Sequence, residues 1–114
     1  NMPVATKAFR ILQGSPKAWR RPSPSGVNVA SWFCDACGAR LYGEREGRPE
    51  TLNLRAGTLD DTSWLKPVAH LFTTSAQSWV QPAAGAECFE RGAIDFPALA
   101  ARWRAMWPEY FPAK

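Results

Sequence analysis

Phe33-Cys34-Asp35-Ala36-Cys37-Gly38-Ala39-Arg40-Leu41 is the stretch on which the fold reading turns. Two cysteines at i and i+3 on a reverse turn can aim both sulfurs at one point. Gly38, directly after them, admits the left-handed backbone that lets nearby N–H groups face those sulfurs. Such donors stabilise thiolate charge, as they do around metal ligands. A structural Zn²⁺ takes about four tetrahedral nitrogen or sulfur ligands, so the turn supplies half a site. Two other readings of the pair stand beside this one: a redox couple and two unrelated buried thiols. The redox couple needs its first cysteine at a helix N-terminus, whereas here the strand-like Leu41-Tyr42 follows.

Outside the turn the chain offers few further soft donors, since it holds three cysteines and one histidine in 114 residues. Cys88, in Glu87-Cys88-Phe89, reads as a buried, inert thiol or as a ligand, because free cysteine packs as a small hydrophobe. His70, in Val68-Ala69-His70-Leu71-Phe72, reads as a hydrogen-bonded core histidine or as a ligand. An odd, sparse cysteine count without a secretory leader suits a reducing compartment, so a soluble, cytoplasmic protein is expected. No apolar run approaches the roughly 20 residues that cross a bilayer.

Working outward, residues 27–33 form a strand that runs directly into the cysteine turn. Residues 50–55 alternate, with Leu52 and Leu54 on one side and Thr51, Asn53 and Arg55 on the other. Residues 8–12 and 17–20 read as two strands around a Gly14–Pro16 turn, and residues 66–72 as a further strand. The segment 22–26 reads as loop, and so does 43–49. Only the tail is helical in pattern. Asp95 caps it, Pro97 is tolerated in the first turn, and Phe96, Leu99, Ala100, Trp103 and Trp107 recur at intervals of three and four. Ten prolines and eight glycines fit many turns better than a helical bundle. The expectation is therefore a mainly β protein of small antiparallel sheets with one C-terminal helix. Asn1 ahead of Met2 reads as a tag remnant, so a single domain over residues 2–114 is expected.

Charge is uneven. Residues 1–34 carry five basic side chains and no acid, while the other nine basic residues face ten acids. A basic segment of this kind reads as a solvated strand face or, as the weaker alternative over residues 7–21, as a contact for phosphates. Nucleic acid is not expected as a partner, because clustered cations with interleaved stacking aromatics are not evident. Asn53 and Arg55, leading into Gly57-Thr58, can either bind a carboxylate-bearing ligand or tie strand to turn. No Gly-rich phosphate loop, nucleophile elbow or H-E-x-x-H motif is present.

Taken together, Phe33 through Tyr42, Asn53-Leu54-Arg55-Ala56-Gly57-Thr58-Leu59-Asp60-Asp61, Pro67-Val68-Ala69-His70-Leu71-Phe72 and Trp79-Val80 resemble the glutathione-dependent formaldehyde-activating enzyme (GFA) family, which also includes proteins similar to centromere protein V. Upstream, Phe9-Arg10-Ile11-Leu12-Gln13-Gly14 and Trp19 look like the strand pair ahead of that family's knuckle. The resemblance implies a β-tent, a zinc-stabilised frame of small sheets. It also implies a zinc-dependent carbon–sulfur lyase of the S-(hydroxymethyl)glutathione synthase type, joining formaldehyde to glutathione.

Full-length members carry an N-terminal C-x-C that joins the later C-x-x-C in a structural zinc site, and a C-x-C-x-x-C cluster for a second, catalytic zinc. Only Cys34 and Cys37 of this chain map onto those ligands. What the resemblance implies here is a shortened member with half a structural zinc site, empty or shared between two chains of a homodimer. Its lyase activity on glutathione–formaldehyde adducts is expected to be impaired for want of the catalytic zinc ligands. Asn53, Arg55 and His70 form the candidate pocket for glutathione or another small thiol. The alternative is a non-catalytic zinc-binding or dimerisation module.

Overall fold

The computed structural model describes residues 1–92 and 95–110, and the chain falls into two compact units, Asn1–Trp64 and Leu65–Lys114. The first is built on a five-stranded antiparallel sheet. Its strands are β1 (Met2–Ala5), β2 (Lys17–Pro22), β3 (Asn28–Phe33), β4 (Arg40–Arg45) and β5 (Thr51–Leu54), in the order β1-β5-β4-β3-β2.

Register divides the side chains between two faces, because directly paired residues share a face and neighbours along a strand alternate. Val4 pairs with Leu52, Leu52 with Glu44, and Glu44 with Ala30, while Tyr42 pairs with both Leu54 and Trp32. Among the described residues the three buried apolar side chains, Ala30, Tyr42 and Leu52, thus lie on one face. Phe9 packs on Tyr42 with ring centroids 4.8 Å apart, and Trp32 stacks on it at 5.7 Å. The Trp32 indole N–H donates to Glu44 Oε2 at 2.8 Å, which gives the half-buried carboxylate a partner. The opposite face carries the row Trp19, Ser31, Gly43, Asn53 and Pro3.

The second unit holds a short parallel pair, β6 (Ala69–His70) with β7 (Glu87–Cys88), and one helix, α1 (Phe96–Ala105). Asp95 caps α1, with its Oδ1 accepting the Ala98 N–H at 2.9 Å, and Pro97 sits in the first turn where no N–H is needed. Leu99, Trp103 and Trp107 are half-buried at intervals of four. Arg102 reaches from the helix to Glu87 Oε2 at 2.9 Å and to the Gly85 carbonyl at 2.6 Å.

The mainly β architecture with a C-terminal helix matches the expectation, and so do the strands through residues 28–33 and 51–54. Residues 9–12 differ: they are not a strand, and Ile11 and Leu12 are 48% and 87% exposed. The expected hairpin with residues 17–20 is not formed, since β2 is an edge strand paired only with β3; β1 instead pairs with β5, and a 3-10 turn at Thr6–Ala8 follows. Thr6 pins that turn, its N–H donating to Glu50 O and its hydroxyl to Pro49 O. Residues 43–45, expected as loop, continue β4. The strand expected at residues 66–72 shrinks to Ala69–His70, because Pro67 lacks an N–H and Phe72 turns the chain at a left-handed φ of 57°. Among the described residues no helix is long and apolar enough to cross a membrane.

Candidate metal centre

Strand β3 delivers Cys34 to the sheet end, and β4 begins three residues after Cys37. A bulge between Trp32 and Phe33 pairs Phe33 with Arg40, so the last rung closes around the turn. The Cys34 N–H donates to Ala39 O at 2.9 Å, and the Gly38 N–H donates to Cys34 O at 2.8 Å. Gly38 adopts φ +74°, and a Cβ there would meet nothing within 4 Å. Backbone conformation, not crowding, is what asks for glycine.

Inside this loop the backbone N–H groups of Cys37 and Ala36, and then the Cys37 thiol, act on the Cys34 sulfur. These bonds favour the thiolate and hold the Cys34 thiol below its ordinary pKa of 9.0, against the opposing effects of burial and the Asp35 carboxylate. Cys34 is half-buried and Cys37 exposed, and both are free thiols. Asp35 is 3.4 Å from Lys17 Nζ, an exposed pair of small energetic weight.

Two adjacent thiols with N–H donors on the first sulfur are the chemistry of a soft-metal half-site. They fit two of the four positions of a tetrahedral zinc. Among the described residues no group of three or more His, Cys, Asp or Glu side chains is placed to hold a metal ion.

The remaining candidates fall in both units, Asn53 and Arg55 in the first and His70 and Cys88 in the second. Asn53 stands on β5 between Gly43 and Pro3. Arg55 follows the strand: its N–H donates to Leu41 O, and its carbonyl accepts the N–H and hydroxyl of Thr58. Arg55 Nη1 donates to Asn1 Oδ1 at 2.6 Å, while its buried Nε has no hydrogen-bond partner among the described residues. His70 lies in the second unit, where Nε2 accepts the Ala83 N–H at 3.1 Å and the residue pairs with Cys88 across β6 and β7. Cys88 is exposed, not buried. Two surface depressions, one beside Thr6 and Glu50 and one beside Phe89 and Arg102, are lined by none of these residues.

Sequence reasoning read Lys17 and Arg21 as part of a basic segment but did not group them with Trp19, with which they alternate on one strand face. The period-two spacing in Lys17-Ala18-Trp19-Arg20-Arg21 carried that signal.

The first unit is thus an antiparallel sheet whose β3–β4 ladder ends in a C-x-x-C turn. A family model described as glutathione-dependent formaldehyde-activating enzyme matches residues 1–75, more than half of the chain and all of the first unit. The chain belongs to that family. No curated protein and no solved structure matches it.

Proposed function

We propose that the chain is a zinc-binding, dimerising member of the GFA family on a β-tent frame. Cys34 and Cys37 take two positions of a structural zinc, and the same pair from a second copy takes the other two, since a two-fold axis brings identical residues together. When bound, the ion neutralises the thiolates and cross-links the β3–β4 ends. The observation that carries this reading is the Cys34–Cys37 turn, with its two N–H donors to Cys34 and no third donor among the described residues. A reducing, cytoplasmic setting would keep both thiols free to ligate.

A second reading keeps the chemistry for which the family is named, the joining of formaldehyde to glutathione. In it, Arg55 and Asn53 meet a carboxylate of the thiol, and the unpartnered Arg55 Nε supports that role. His70 of the second unit accepts the Ala83 N–H through Nε2.

The two readings separate in one assay. Zinc-loaded protein is mixed with glutathione and formaldehyde, adduct formation is followed by proton NMR, and glutathione binding by calorimetry. The module reading expects bound zinc with neither turnover nor heat. Adduct formation above the uncatalysed rate, lost in Arg55→Ala, would establish the enzyme instead.

A further inference from the structure

The face of the sheet opposite the core carries a feature that the zinc site does not use. Lys17, Trp19 and Arg21 alternate along β2, so all three project from one face. By register, Trp19 pairs with Ser31, which pairs with Gly43; one row along, Arg21 pairs with Val29, which pairs with Arg45. The three strands therefore present an exposed indole beside a low floor of Ser31 and Gly43, with Arg21 and Arg45 on the adjoining row, about 10 Å apart at two strand spacings. Trp19 is 59% exposed, and the Arg21 guanidinium lies 5.7 Å from its ring centroid.

Contacts already made by these cations are weak ones. Lys17 shares its charge with the exposed Asp35, Arg21 Nη1 donates to Pro22 O at 3.4 Å, and Arg45 Nη2 donates to Ser25 Oγ at 3.3 Å. None of the paired positions in the two rows is acidic, and no acid occurs in residues 1–34. An aromatic ring flanked by cations on an open antiparallel sheet is how sequence-tolerant single-strand binding is built: bases stack on the ring and phosphates meet the cations.

We propose that this face binds a short stretch of single-stranded nucleic acid, with one base stacked on Trp19 and neighbouring phosphates on Arg21, Arg45 and Lys17. Interleaving of cation and aromatic, not evident along the linear sequence, is supplied by strand alternation and register. Duplex does not fit the arrangement, because a paired base cannot lie flat on the ring. The proposal is independent of zinc and of the thiol chemistry.

Fluorescence anisotropy of a labelled oligothymidylate, titrated with the intact chain, tests it. Binding is expected to weaken as salt rises, with a log–log slope of about −2 for three phosphate contacts. Trp19→Ala is expected to lose about fivefold or more in affinity, and Trp19→Phe to retain most of it. Arg104→Ala, which removes one positive charge from the second unit, should change little beyond a general charge effect. A circular-dichroism melt of each variant separates misfolding from lost contact, and the Trp19→Phe result decides if Trp19→Ala does not fold. No binding, equal losses in Trp19→Ala and Arg104→Ala, duplex bound as tightly as single strand, or full competition by polyglutamate would each overturn the proposal.

Discussion

The Gly38 N–H donates to the Cys34 carbonyl across 2.8 Å, closing the turn that holds the Cys34 and Cys37 thiols together at the end of the β3–β4 ladder. The metal chemistry argued above depends on that closure. It joins backbone conformation to sulfur geometry, so each can be perturbed separately.

Gly38→Ala tests the conformational part. The added methyl meets no atom within 4 Å, so the penalty comes from φ +74° alone. A loss of about 1–2 kcal/mol is expected, as for an alanine forced left-handed. Gly38→Asn, which tolerates that region better, should lose less. Thermal melts and a zinc competition titration would show both changes in the same order.

Thiol reactivity tests the electrostatic part. With its pKa held below 9.0 by N–H donors, Cys34 in the metal-free folded chain should alkylate with iodoacetamide at lower pH than in the urea-unfolded chain. The sign for stability follows from linkage. A lowered acid pKa contributes stability that is present above the unfolded thiol value and lost as pH falls through the folded one. Cys34→Ser should remove that part of the pH dependence. Folded and unfolded alkylation profiles that coincide would contradict the geometry.

Leu52 tests the core. It is 1% exposed and sits on the buried face with Ala30 and Tyr42. Leu52→Ala should cost about 2–5 kcal/mol through lost burial and an unfilled cavity, measured by urea denaturation. A loss below 1 kcal/mol would mean that the buried face is not what stabilises the sheet.

Tyr42 reports on the Glu44 side of the same face. Burial first, and the Glu44 charge second, push its phenol above the ordinary value of 10.0. In Glu44→Gln the phenolate absorbance should titrate at lower pH than in the wild type, with burial still holding it above an exposed tyrosine. A raised phenol pKa contributes stability that is complete below the unfolded value and lost as pH rises through the folded one. The alkaline loss of stability should therefore shrink in this variant.

His70 gives a test local to the second unit. Removing its side chain leaves the Ala83 N–H without the acceptor it has at 3.1 Å. Hydrogen exchange at the Ala83 amide should accelerate in His70→Ala while amides of β3 and β4 stay protected. Unchanged exchange at Ala83 would remove the latch.

Much of the sheet was legible because its signals are local. Residues 51–54 alternate cleanly, residues 28–33 run into the cysteine turn, and Asp95 with Pro97 announces the helix. Partner choice was not legible, because it is settled by long-range competition. Residues 9–12 carry apolar side chains suited to a strand, yet Met2–Ala5 takes the edge of β5. Gly43, Glu44 and Arg45 look like loop by composition, but cross-strand pairing with Ser31, Ala30 and Val29 keeps them extended. At the site, the Cys34–Cys37 spacing was readable from the sequence. The placement of His70 in a separate unit from Asn53 and Arg55 was not, because a histidine fifteen residues beyond Arg55 gives no sign of which element it will join.

The central claim is that Cys34 and Cys37 grip one half of a zinc ion that a second copy completes. Elemental analysis of the purified chain, run with light-scattering mass on the same sample, tests it most directly. The account predicts about half a zinc per chain in a dimer, lost together with the dimer in Cys34→Ser. Zinc retained after both cysteines are replaced by serine, or a metal-free wild-type protein prepared with zinc present, would contradict it.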